Sequence, residues 1–343
     1  MVSMRDVARA AGVSIKTVSR VHTGDPQVAP QTRERVERAI SDLGYVANGL
    51  AATFRQGRSP VIGIAVPDIS DPYFSALVQG IEAVAAENQL FTVVASIADQ
   101  ELERGRVEAL LSRRLQGFVL APTSPDQAYL APWTKQLPIV FVDRQPVHIT
   151  ADWIESDDKH GAHTAVSHLI GLGHRNVTFL SDTIMASTTY ARLEGYRSSL
   201  RDAGIEPDQG LEVFVESTPA AVRAALHSLL ALPQPPTAIF AANPRSTMAL
   251  APALREVPVA VVSFGDFPLA DALYPAISAM SQNPRRVGEL AAQRLLDRIA
   301  DPDGDFPRRV EVATTLIIRE SSLWASQDVG QQPGTPDGAT APY

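Results

Sequence analysis

Cysteine is absent from the 343-residue chain, which rules out disulfides and thiolate metal sites. No apolar stretch reaches the length of a membrane span, and the N-terminus opens on charged residues where an export signal would be apolar. We therefore expect a cytoplasmic protein without a membrane partner. Three enzyme signatures are also missing: a nucleophile elbow, a phosphate-loop glycine pattern and a dinucleotide fingerprint. Four histidines, His160, His163, His168 and His174, stand 3, 5 and 6 residues apart but lack the convergent carboxylates that a metal ion needs. The expectation is a non-enzyme with no cofactor and no metal.

What is present begins between Met4 and Val21. Ala8, Gly12 and Val18 stand four and then six apart, a spacing that lets one short helix set a small residue against a second across a tight turn. Val7, Val13 and Val21 supply apolar faces, Gly12 suits the positive φ of the turn, and Ser14 suits the start of the second helix. The exposed side of that helix then carries Ile15, Lys16, Ser19 and Arg20, an apolar reader and donors suited to a DNA groove; an ordinary helical hairpin is the plainer alternative. A third helix is predicted over 32–43, with Val36, Ile40 and Leu43 on one face, Arg33, Arg35 and Arg38 toward solvent or phosphate, and Gly44 at its end. Residues 1–58 hold nine Lys or Arg against five Asp or Glu, so a head of +4 leaves −12 on the rest of a chain of net charge −8. A basic head on an acidic body concentrates phosphate attraction at one end.

Residues 46–58 are Ala-rich and too short to hold a helix alone in water, so they read as a linker whose folding depends on a partner. Beyond them the rhythm is α/β. Strands are predicted at 61–66, 91–95, 117–120 and 139–142, with helices at 77–86 and 100–113. A second set has helices at 161–171, 190–203 and 220–232 and strands at 177–180, 238–241 and 259–263, followed by a helix at 286–299 and a strand at 310–318. Strands separated by helices predict doubly wound parallel sheets, with ligands at the carboxyl ends of the strands. Residues 324–343, rich in Gln, Gly, Pro, Asp and Thr, read as a disordered tail.

The succession DVARAAGVSIKTVSRV, TRERVERAISDLGYVAN, a basic segment ending in RQGRS, VIGIAVPDISDPYF, LIGLGHRNVTFL, YARLEGYR and LIIRESS resembles the lactose-repressor family of bacterial transcription regulators over residues 4–323. The resemblance implies a three-helix helix-turn-helix head (1–45), a hinge helix (46–58) and a periplasmic-binding-protein-like body (59–323) of two subdomains. The chain would cross between these near 152–156, 277–282 and 306–310. It further implies a sequence-specific repressor that binds a palindromic double-stranded DNA operator as a homodimer, controlled by a small polar metabolite, a sugar or sugar derivative, in the cleft. The tail carries no heptad pattern, which favours a dimer over a tetramer. Two alternatives stand beside this: a corepressor- or phosphoprotein-assisted regulator whose ligand strengthens DNA binding, and a sugar-binding body with an inert head.

The same resemblance assigns residues. Ile15, Lys16 and Arg20 would face bases, Thr17 and Ser19 phosphate, with Ser14 at the helix start and Arg33 either at phosphate or merely solvated. Asn48 matches the hinge start and Phe54 stands where the family wedges a leucine into the minor groove. Ala47 and Ala52 replace a usual Pro and a common Arg, and His22 and Thr23 replace an apolar–Asn pair whose Asn would contact phosphate. In the body, Asp71, Tyr73 and Phe74 fall in a loop after the first strand, where their rings either stack on an effector or simply pack. Arg192 matches a cleft arginine that clamps hydroxyls or a carboxylate, Thr188 lies one turn before it, and Asn243 matches an effector-reaching amide. Asp157 is either a ligand contact or a helix cap. Pro244 replaces a frequent Asp, and Gly265 replaces the ligand-binding Asp, leaving Asp266 either to take over that role or to keep a structural one.

Overall fold

The computed structural model describes residues 2–22, 24–45, 60–182 and 186–323. The expectations for the hinge, including Asn48 and Phe54, for Thr23 and for the tail lie outside the described residues. The chain divides into two compact units at Pro60.

The head contains α1 (Met4–Ala11), α2 (Ile15–His22) and α3 (Pro30–Asp42). Ser3 and Asp6 cap α1 reciprocally, the Ser3 hydroxyl accepting from Asp6 N and the Asp6 carboxylate from Ser3 N. Gly12 then reverses the chain at φ 62°, and Ser14 opens α2 by accepting from Thr17 N at 3.1 Å. The fully buried part of the core is Val and Ala, namely Val7, Ala8, Ala11, Val18, Val21, Val28, Val36 and Ala39, with Met4, Ile40 and Tyr45 packed against it. Such small side chains let three short helices pack closely. The third helix starts two residues before its predicted beginning because Pro30 sits at its first position, where a missing N–H costs nothing. It ends at Asp42, so Leu43 is an exposed cap residue rather than part of the apolar face.

The body has two six-stranded sheets. In the first, β1 (Val61–Val66), β2 (Phe91–Ser96), β3 (Gly117–Leu120), β4 (Ile139–Val142), β5 (Asp152–Ser156) and β11 (Arg309–Val312) run parallel in the order β11-β5-β4-β3-β1-β2. In the second, β6 (Val177–Ser181), β7 (Glu212–Phe214), β8 (Ala238–Ala241), β9 (Ala260–Phe264), β10 (Ser278–Ser281) and β12 (Thr315–Ile317) follow the order β12-β10-β9-β8-β6-β7, with β12 antiparallel. Strands such as β3, β4, β8 and β9 are buried along their whole length, as a sheet covered on both faces requires. The helices α4 (Pro72–Glu87), α5 (Gln100–Leu111), α6 (Asp158–Gly171), α7 (Ser187–Asp202), α8 (Pro219–Leu230), α9 (Pro244–Leu250) and α10 (Pro284–Ala300) connect them. The backbones of α4 and α10 meet directly, since a Cβ on Gly80 would strike the Arg285 carbonyl and one on Gly288 the Leu77 carbonyl.

Several predicted boundaries move. The single strand expected at 310–318 is two strands, β11 and β12, one in each sheet. Residues 152–156 and most of 277–282, read as crossings, are strand, and 306–310 runs into the start of β11; the chain changes sheets after each strand has completed its pairing, between β5 and α6, between β10 and α10, and between β11 and β12. The helix expected from 77 begins at Pro72, so Tyr73 and Phe74 stand on its first turn and not in a loop.

Candidate functional site

The cleft between the two sheets is lined from strand carboxyl ends. After β1 come Asp71 and Tyr73, and after β4 Asp143 and Arg144; after β6 come Thr188 and Arg192, after β8 Asn243 and Arg245, and after β10 Gln282. Both β1 and β6 are points where strand order reverses, so the loops on either side diverge and leave a crevice. An inner cavity of about 90 Å³ joins an outer one of about 510 Å³, with Tyr73, Pro244 and Gln282 in the walls of both. The inner volume is well below the roughly 300 Å³ at which ligand pockets begin. A metabolite must therefore extend into the outer space or move the lobes apart.

Arg192 is the centre of the inner cavity. Its Nε and Nη2 both lie 2.9 Å from Asp158 Oδ1, its Nη1 donates to the Ala242 carbonyl at 2.8 Å, and its guanidinium stacks over the Phe264 ring at 4.2 Å. Two of its N–H groups are thereby hydrogen-bonded and Nη2 is ion-paired, so the planar group is held in the wall that it shares with Thr188 and Thr189. Burial pushes the Asp158 carboxyl up to about 7, against the lowering pull of Arg192. Tyr73 stands opposite on α4, edge-on to Phe74 at 5.1 Å; burial, reinforced by Asp143 and Asp158, raises its phenol well above the ordinary value. Burial also raises Asp71, which caps α4 by accepting from Tyr73 N at 2.9 Å. Three carboxyl groups (Asp71, Asp143 and Asp182) and three guanidiniums (Arg144, Arg192 and Arg245) thus line the inner cavity, with Asp158 behind Arg192 as its buried partner.

Asp71, Tyr73, Phe74, Thr188, Arg192 and Asn243 come together there. Two other expected contacts do not. Asp157 caps α6 by accepting from His160 N at 3.0 Å, and it is the next residue, Asp158, that turns inward. Asp266 has both oxygens bound by Arg319 at 2.8 Å and faces only the outer cavity, so it fixes the loop after β9. Asn243 is itself engaged at both ends, capping α9 through Ser246 N at 2.8 Å and donating to Asp182 at 3.1 Å. Gly265 lies at φ 97°, and a Cβ there would meet the Pro244 ring at 2.7 Å and Gln282 Oε1 at 3.1 Å. The two departures at 244 and 265 are therefore one packing unit. Sequence alone did not point to Asp143, Arg144, Asp158, Asp182, Arg245 or Gln282. Asp143 had a visible signal, a lone acid at the end of the buried run IVFV; the others had none. The histidines point elsewhere, His163 to Asp202 at 2.9 Å, His168 to Ser322 at 3.1 Å and His174 to Thr237 at 2.9 Å.

On the head, Ile15 and Lys16 are exposed on the outer side of α2, with Ile15 40% accessible, while Thr17, Ser19 and Arg20 are half-buried. The Ser14 hydroxyl is turned onto Thr17 Oγ1 at 2.9 Å, so Ser14 is a cap. Arg33 donates to the Asp25 carbonyl at 2.7 Å, which makes it a brace between α3 and the turn rather than a loose charge.

A basic helix-turn-helix head joined to a two-lobed body with a polar cleft at its strand ends defines a ligand-responsive DNA-binding regulator. Residues 3–48 match the family model for bacterial regulatory proteins, lacI family, and residues 166–322 the periplasmic binding protein-like domain. The ribose operon repressor of Escherichia coli (strain K12) is 30% identical over 331 residues, 94% of this chain and 100% of that protein. The HTH-type transcriptional regulator PtxS of Pseudomonas putida is 32% identical over 330 residues, 94% of this chain and 96% of that protein. Among solved structures, the lac repressor dimer bound to operator and the anti-inducer ONPF has a TM-score of 0.82 at 26% identity, covering 94% of this chain and 99% of that one. The complex of the transcriptional regulator CelR with cellobiose gives 0.67 at 29% identity, covering 94% and 100%. The chain belongs to the lacI family of bacterial regulatory proteins.

Proposed function

We propose that the protein is a dimeric repressor that reads a palindromic operator through α2 and releases or holds it according to a polar, carbohydrate-related metabolite in the cleft. One observation carries the reading: Arg192, buried and held in plane by Asp158 and Phe264, lines a cavity whose wall holds three acids and two further guanidiniums. Hydroxyl groups both donate and accept, so a polyol satisfies such a wall better than an apolar or singly charged molecule. Asp71, Tyr73 and Asp143 belong to one lobe and Thr188, Arg192 and Asn243 to the other, so a bound metabolite bridges both and favours one angle between them. A preference of about 3 kcal/mol for one angle would change operator occupancy roughly 100-fold. In the head, Ile15, Lys16 and Arg20 would contact bases, and Thr17 and Ser19 phosphate.

The edge strand β2 supports the dimer. Phe91 is 66% accessible and Val93 and Val94 are exposed beside it, an apolar strip on an open sheet edge that a second copy would cover. Thermal-shift measurements on the full chain against neutral sugars, sugar acids and nucleobases would find the metabolite. A mobility shift on a palindromic duplex, with and without it, would then test the coupling; binding without sequence preference would remove the repressor reading.

A further inference from the structure

Between α2 and α3 a single acid organises the turn. Asp25 Oδ2 accepts from Arg20 Nε at 2.7 Å, its Oδ1 accepts from Gln27 N at 2.9 Å, its own N–H donates to the Arg20 carbonyl at 3.0 Å, and its carbonyl accepts from Arg33 at 2.7 Å. Gln27 Oε1 takes a second bond from Arg20 Nη2 at 3.2 Å. The Arg20 and Asp25 side chains are 40% and 29% accessible, and ion pairs so exposed add little to stability. The acid also follows the carboxyl end of α2, where the helix dipole disfavours negative charge, on a head whose net charge is positive. Neither helix stability nor phosphate attraction accounts for a carboxylate at this place. What it does supply is a fixed guanidinium, because two acceptors on one edge hold a long side chain that would otherwise sample many rotamers.

We propose that Asp25, with Gln27, is a positioning residue for Arg20 that sets how sharply the head discriminates the base pair Arg20 reads. The inference rests on the reading of Arg20 as a base contact. An arginine already held in plane loses little freedom when it meets a guanine edge, and a base that does not fit cannot recruit it in another pose.

The test uses the full chain and a palindromic duplex selected by the wild-type protein from a randomised pool, together with every single-base-pair variant of one half-site. Arg20→Met should abolish discrimination at one position. Asp25→Asn and Gln27→Ala should each lower discrimination at that same position, Asp25→Asn by roughly tenfold, and leave the others unchanged. Affinity for random duplex should hold or rise in Asp25→Asn, because the head loses one negative charge. A merely structural Asp25 would instead weaken all sequences alike. Gln27→Ala, which leaves the Asp25 bonds intact, keeps the test usable if Asp25→Asn destabilises the turn. If Arg20→Met relaxes a position that both other variants leave as sharp as wild type, the positioning role is overturned; if Arg20→Met relaxes none, the base-contact reading fails first.

Discussion

Replacing Arg192 by Ala tests the core of the cleft. The side chain is 8% accessible and donates one hydrogen bond to Asp158, beside an Nη2 ion-pair contact, and another to the Ala242 carbonyl, so its loss strands a buried carboxyl and a buried acceptor. Breaking one side of such a pair costs about 3–5 kcal/mol. The cost should depend on pH in a definite direction. Asp158 is already raised to about 7 by burial, and removing Arg192 raises it further. A carboxyl whose folded pKa lies above its unfolded value of 3.8 contributes stability that is full at low pH and lost as pH rises through the folded value. Wild type completes that loss near pH 7, whereas the variant keeps losing beyond it. The deficit of Arg192→Ala should stay level below about pH 7 and widen above it, by up to about 1.4 kcal/mol per pH unit. Urea denaturation at pH 6 and pH 8.5 reads the difference. Adding Asp158→Asn to the variant should abolish the widening, because the carboxyl that Arg192 faced is gone. Parallel pH dependence in wild type and Arg192→Ala would refute the pairing as the source of the cleft's electrostatics.

Three further outcomes are expected. Gly265→Ala should lower stability by about 1–3 kcal/mol, from the positive φ and the overlap with the Pro244 ring, and Pro244→Ala in the same chain should recover part of it in thermal denaturation. Asp152→Asn removes the carboxylate that holds Arg298 at 2.7 Å and neighbours Arg294, both nearly buried; a loss of about 3 kcal/mol in urea denaturation is expected, and a change below about 0.5 kcal/mol would count against that network. Phe91→Glu with Val93→Glu should yield a folded monomer in sedimentation velocity, and an unchanged dimer would place the interface elsewhere.

Much of the fold was legible in short stretches. VIGIAV, GFVL, IVFV and AIFA are strands because unbroken β-branched and apolar runs suit a sheet covered on both faces. Helix starts were less legible, and proline accounts for the largest misses. Five helices, α3, α4, α8, α9 and α10, have a proline at their first position. Proline reads as a breaker within a segment, yet at a helix start it omits only an N–H that has no partner. Hence the apolar period shows α4 only from residue 77, five residues after its start, and gives no sign of α9. The site divides in the same way. Arg192 and Asn243 could be picked from local motifs, whereas Asp157 and Asp158 are identical in chemistry and differ only in which of them the helix start turns outward.

The amino-acid sequence by itself determined the periodic elements, the basic head and the acidic body, because hydrophobic period, capping and charge act over a few residues. Tertiary structure alone decided which charges meet. Asp158 finds Arg192 across 34 residues and Asp152 finds Arg298 across 146, and Gly265 is required only because Pro244 is folded against it. A carboxylate's desolvation, its partner and its proton affinity are set by what surrounds it once the chain has closed, and no local pattern carries that information.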